Sequence, residues 1–112
     1  MALFTFSKEE RIRRRADYQR TLKEGSKFDS PYFRVCICAN RLPHRRLGVT
    51  VGKRIGSAVQ RNRVKRLIRE FFRLNKEALP GSSDVIVMAK AGAASLNFRQ
   101  VSEELKGLFK ER

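Results

Sequence analysis

Between Ala58 and Arg73, apolar residues return at helical spacing through a stretch otherwise dominated by arginine and lysine. At 100° per residue, Val64, Leu67, Ile68, Phe71 and Phe72 fall within roughly 140° of one helix face. Asn62, Lys65, Arg66, Arg69 and Arg73 fill an arc of roughly 100° on the other side, and Arg61 and Arg63 flank it. A chain carrying this segment must build a helix that docks one side into a core and holds a comb of cations on the other. A solvated charged face is the commoner outcome for charge runs, but such a face normally mixes signs. From Gly52 to Arg69 there are seven basic residues and no acidic one. A comb of one sign suits a phosphate backbone.

The whole chain has the same bias. Twenty-six lysines and arginines stand against 11 acidic residues, a formal charge of +15 in 112 residues. Self-repulsion of that size burdens a compact fold unless a polyanion relieves it. Length and a 41% hydrophobic content fit one domain, residues 1–112, with a modest core. No apolar run approaches the roughly 18 residues that span a bilayer. The start, Met1 to Lys8, lacks the pattern of a secretory signal. An anionic membrane also attracts cations, but surface binders expose leucine and aromatic faces. Here those residues are committed to a core, so nucleic acid is the expected partner and a membrane is not.

Chemistry-bearing constellations are sparse. Cys36 and Cys38 sit two apart in a strand-like run, at the limit for bridging, and read as free thiols of a reducing cytoplasm. His44 is the single histidine and lies in a basic loop, so no Cys/His metal cluster can form around it. No serine sits in a nucleophile elbow. Gly52-Lys-Arg-Ile-Gly56 lacks the order of a phosphate loop. The Glu9-Glu10 and Glu103-Glu104 pairs read as solvated or capping residues. No catalytic residue and no metal ligand is expected in the chain.

Six elements follow from periodicity. Ser7 with Glu10 resembles a capping box, and a helix runs from about Arg13 to Glu24, with Tyr18 and Leu22 on one face. Pro31 to Asn40 alternates as a half-buried strand, with Phe33, Val35, Ile37 and Ala39 on one side and Tyr32, Arg34, Cys36 and Cys38 on the other. Leu47, Val49 and Val51 alternate with Gly48, Thr50 and Gly52, and that small-residue face suits close approach by a ligand backbone. The basic helix comes next and is broken at Pro80-Gly81. Asp84 to Lys90 reads as a strand buried on both faces. A last amphipathic helix through Phe98, Val101, Leu105 and Leu108 takes Asn97 as its N-cap. Lys27–Asp29 leaves room for one further strand. The fold class is α/β (α+β): a two-layer sandwich of helices on a small central sheet.

Arg61-Asn62-Arg63 followed by Val64-Lys65-Arg66-Leu67-Ile68-Arg69 closely resembles the RNR motif of the bacterial ribonuclease P protein subunit. Gly48 to Val59 is similar to that family's strand and basic lead-in, Arg11 to Gly25 to its first helix, and Asp84–Lys90 and Phe98–Phe109 to its last strand and helix. The resemblance implies a central sheet with a left-handed β-α-β crossover through the basic helix. It also implies a ribonucleoprotein endonuclease that removes the 5′ leader of precursor tRNA and leaves a 5′-phosphate on the mature molecule. In that enzyme an RNA subunit is the catalyst and works with Mg²⁺. The protein binds the RNA subunit and the leader, raising substrate and metal affinity, with no cofactor of its own and no obligate protein partner.

Carried over by position, the resemblance places RNA-subunit contacts on Lys53, Arg54, Arg61, Asn62, Arg63, Lys65, Arg66 and Arg69. Asn62 would orient a backbone, a water or a hydrated metal; an Asx-type hydrogen bond at the helix start is the plainer alternative. A leader groove would fall on Tyr18, Leu22, Arg34 and Cys36. The chain departs from the family there, because aromatics frequent in the family at the positions of Leu22 and Cys36 are missing. Tyr18 and Leu22 have a plainer alternative as core residues. Composition alone would also permit a ribosomal or general RNA-chaperone protein. A protein-only nuclease would need a carboxylate cluster or a general base.

Overall fold

The computed structural model describes residues 8–110, so the capping box expected at Ser7 lies outside them. The elements in chain order are α1 (Arg15–Glu24), β1 (Ser26–Asp29), β2 (Phe33–Ala39), β3 (Arg46–Thr50), α2 (Ala58–Leu74), β4 (Ser83–Ala89) and α3 (Phe98–Lys110). Short 3₁₀ turns occur at Lys8–Glu10, Lys53–Ile55, Lys76–Ala78 and Ala93–Ser95. The sheet order is β1-β2-β4-β3. Antiparallel pairing joins β1 to β2 and β2 to β4, while β3 and β4 run parallel with α2 as their connection.

Register assigns each strand residue to a face. Phe28, Val35, Val87 and Val49 form one cross-sheet row, and Ile37, Val85 and Leu47 form the next. This face meets Val64, Ile68, Phe71 and Phe72 of α2 and Val101, Leu105, Leu108 and Phe109 of α3 in the core. The rings of Phe71 and Phe109 stack at 6.1 Å with planes 8° apart, which ties the two helices together. The expected stripe on α2 is therefore the stripe that is buried, except that Leu67 sits at its half-exposed margin.

The reverse face carries three rows, Lys27-Cys36-Ile86-Gly48, Asp29-Arg34-Met88-Thr50 and Cys38-Asp84-Arg46. Helix α1 packs across the first. Its Tyr18 ring lies over Gly48, where a Cβ would come within 2.7 Å of the ring. Its hydroxyl hydrogen-bonds the Thr50 hydroxyl. The small-residue face of β3, expected to admit a ligand backbone, instead admits this ring. Ile86 and Cys36 are fully buried under the helix, which is why β4 is buried on both faces. Further along, the buried Asp84 carboxylate accepts two hydrogen bonds from Arg46 and one from Asn40. His44 lies half-exposed in the loop before β3, its carbonyl accepting from Asn40 Nδ2.

Candidate nucleic-acid interface

The N-terminal half of α2 is set by a local device. Ser57 accepts the Gln60 backbone N–H at 3.2 Å, and the Gln60 side chain accepts the Ser57 N–H at 2.8 Å. This reciprocal capping box satisfies two N–H groups that a helix start otherwise leaves open. Gly56 makes the room: it sits at φ +154°, and a Cβ there would fall 2.2 Å from Gln60 Oε1. Sequence reasoning passed over this cap, although Ser57-x-x-Gln60 is its signature.

Eight predicted contact residues radiate from this cap. Lys53, Arg54, Asn62, Arg66 and Arg69 are exposed, and Arg61, Arg63 and Lys65 are half-exposed. Arg61 Nε reaches the Ser57 carbonyl at 3.4 Å, and Arg63 Nη1 reaches the Ala94 carbonyl at 3.3 Å. Those bonds orient the two guanidiniums without neutralising them. Among the described residues none of the seven cations has a carboxylate partner. The acidic groups in ion pairs instead serve Arg20, Arg34, Arg46, Arg73, Lys76, Lys90 and Arg99. Partial burial and, after it, the nearby Arg11 charge hold the Arg69 guanidinium below the usual arginine range. Asn62 is exposed with no side-chain hydrogen bond among the described residues, and Ser57 already caps the helix. The Asx alternative therefore has no geometry to rest on. Val59 is 80% exposed beside the cations, an apolar surface that the period analysis left off both faces.

The second predicted set is divided by depth. Tyr18 is half-buried, and burial pushes its phenol above the usual range. Leu22, one turn on, is also half-buried. Arg34 is exposed, but its Nε donates to Asp29 Oδ1 at 2.8 Å, and Lys90 Nζ stands 2.8 Å from the same oxygen. These two cations, Arg34 first, lower the Asp29 carboxyl to about 2. Cys36 is the correction. It has no exposed surface, because α1 covers its position on the sheet, so it lies beneath the groove and cannot line it. Burial also pushes its thiol up, away from thiolate chemistry.

A groove of about 640 Å³ connects the two sets. Thr50, Gly52, Lys53, Arg54, Ile55, Met88 and Lys90 line it. Arg34 is the register partner of Met88, and Thr50 holds Tyr18. Lys53, Arg54 and Lys90 therefore line a channel at the C-terminal ends of β3 and β4, and Tyr18 and Arg34 adjoin it through Thr50 and Met88. Lys90 and Met88 belong to it and were not singled out from the sequence; Lys90 was visible only as the end of a strand. Among the described residues no three His, Cys, Asp or Glu side chains gather in a way that could hold a metal ion.

The fold and these surfaces define a small α+β protein that presents an uncompensated cationic helix beside a sheet groove. Comparison with known proteins gives that class a family. The profile of the family described as Ribonuclease P matches residues 6–112. A ribonuclease P protein component of Desulforapulum autotrophicum is 40% identical over 111 residues, covering 99% of this chain and 95% of that protein. One of Syntrophus aciditrophicus is 44% identical over 105 residues, covering 94% and 88%. The ribonuclease P protein of Staphylococcus aureus superposes with a TM-score of 0.84 at 37% identity, over 91% of this chain and 94% of its own. That of Thermotoga maritima gives 0.83 at 34%, over 92% and 97%. The chain belongs to the bacterial ribonuclease P protein family. Membership makes it a subunit of a ribonucleoprotein endoribonuclease of tRNA processing.

Proposed function

We propose that the chain divides its two surfaces between two RNAs of that enzyme. The α2 comb, with Lys53 and Arg54, binds phosphates of the RNA subunit; the surface of Tyr18, Leu22 and Arg34, with the channel at Lys90, holds the single-stranded 5′ leader of precursor tRNA. The observation that carries this reading is the set of seven cations on and before α2 with no carboxylate partner among the described residues. Arginines in fixed orientation bind phosphate oxygens bidentately and through charge-assisted hydrogen bonds. A single-stranded leader suits a groove with apolar walls and cations along its edge, because bases stack while phosphates meet charge. Here stacking rests on Tyr18, Leu22 and Met88, since Cys36 is out of reach.

Hydrolysis of the phosphodiester belongs in this reading to the RNA subunit with its Mg²⁺, and the protein raises affinity for substrate and metal by placing the leader. The work is cytoplasmic and needs no further protein; no helix among the described residues is long and apolar enough to cross a membrane. The test is binding to a bacterial ribonuclease P RNA. Arg66→Ala or Arg69→Ala should weaken it by about 1–3 kcal/mol, the value of a charge-assisted contact. Unchanged affinity of both variants at moderate salt would remove α2 from the interface.

A further inference from the structure

Four arginines converge at the other end of the sheet, where β3 begins. Arg13 and Arg14 precede α1, Arg20 lies on it and Arg46 opens β3; with Asp17, Asn40 and Leu42 they line a depression of about 430 Å³. Beneath it lies Asp84, fully buried. Its Oδ1 accepts from Arg46 Nε at 2.8 Å and from Asn40 Nδ2 at 2.9 Å. Its Oδ2 accepts from Arg46 Nη2 at 2.7 Å, with Arg20 Nη2 at 3.5 Å. Asp17 stands 3.4 Å from Arg46 Nη2 and 3.9 Å from Arg20 Nη2. The carboxylates are thus occupied, and they fix the heads of Arg46 and Arg20.

What remains is positive and short of acceptors. Four guanidiniums face two carboxylates, an excess of two charges. Arg20 Nε is buried with no hydrogen-bond partner. Arg13 and Arg14 are exposed, with no side-chain partner among the described residues. Arg14 is also the residue before α1 and gives its first turn no side-chain cap. A buried donor without an acceptor costs free energy, and an anion relieves it. Arg69 and Arg11 line a smaller cavity with Tyr18 and Gly48 along edge strand β3, between α2 and Arg13.

We propose that this arginine depression at the start of α1 is a second phosphate-binding site, taking a phosphodiester of the RNA partner beyond the reach of the α2 comb. It rests on the RNA-subunit reading above. Arg46 and Arg20, pre-oriented by Asp84, supply fixed donors, while Arg13 and Arg14 close over the phosphate from solvent.

The test is the double variant Arg13→Gln/Arg14→Gln, whose side chains are exposed, with an unchanged melting temperature as the check on folding. Bound to a bacterial ribonuclease P RNA, it should lose about tenfold in affinity near physiological salt. Its plot of log affinity against log salt should flatten by about one to two relative to the parent. In parallel, inorganic phosphate titrated into the free parent chain should move the NMR signals of the Arg15–Asp17 amides and of Arg20 Nε, and should leave them still in the variant. Parent-like affinity and salt slope in the variant overturn the proposal. If phosphate moves those signals while RNA affinity is unchanged, the site takes a small anion and the RNA assignment is overturned. A parent chain that fails to bind the RNA at all overturns the RNA-subunit reading itself.

Discussion

Asp29 shows how one carboxylate conditions a groove built for a polyanion. Its Oδ1 lies 2.8 Å from both Arg34 Nε and Lys90 Nζ, so three charges share one edge of the channel and sum to a single positive charge. The folded carboxyl, at about 2, lies below its ordinary value of 3.8. The native state therefore binds fewer protons than the unfolded chain. The contribution of Asp29 to stability is complete above the ordinary value and is lost as pH falls from there toward 2. An NMR titration of the Asp29 side chain should return a midpoint near 2 in the native protein, and one near 3.8 would dissolve the bridge. Tyr18, on α1, adjoins the same channel through Thr50. Its hydroxyl is tied to Thr50 and its ring covers Gly48, and the residue is only partly buried. Tyr18→Ala should weaken binding of precursor tRNA with a long leader by about 1–3 kcal/mol, the value of a base–aromatic stack. Its effect on leaderless tRNA should be much smaller. An equal loss on both substrates would assign Tyr18 to the core alone.

At the scale of elements, helix α2 combines a core stripe, a cationic comb and a start fixed by Ser57, Gly56 and Gln60. Ser57→Ala removes the side-chain acceptor of that start and should cost about 1 kcal/mol of stability in a denaturant melt. It should also loosen the turn that aims Arg61 and Asn62, so RNA affinity should fall although no contact residue has changed. A variant with parent-like stability would show that the cap contributes nothing. The same scale shows what the chain discloses of itself. The three helices and the strands at Phe33–Ala39, Arg46–Thr50 and Ser83–Ala89 follow from period and punctuation, and the Asn97 cap is present as expected, with Gln100 completing it. Strand β1 is four residues with two charges, too short for alternation to mark it as more than room for a strand. The parallel pairing of β3 with β4 is a long-range choice that no local pattern encodes. Cys36 alternates outward as if toward solvent. Only the packing of α1 across that face, set by Tyr18 on Gly48 and by Arg20 near Asp84, buries it. Asp84 likewise reads as a polar strand start, and its role as the buried anchor of Arg46 needs the third dimension.

For the whole molecule, the formal charge of +15 is distributed unevenly. Carboxylates pair with cations along α1, β3, the end of α2 and α3, while the stretch from Lys53 to Arg69 keeps its charge unpaired among the described residues. Positive field is therefore strong along that stretch, where the capped start of α2 and the channel adjoin. A polyanion lying there relieves repulsion that the folded chain otherwise bears alone, which couples RNA binding to stability. The central claim is that this chain acts with an RNA catalyst by holding RNA. It is tested most directly by single-turnover cleavage of precursor tRNA with a bacterial ribonuclease P RNA at low Mg²⁺. The protein should restore accurate removal of the 5′ leader and should cut nothing on its own. An RNA subunit left inert by the protein across a range of salt, or cleavage by the protein without RNA, would contradict the account.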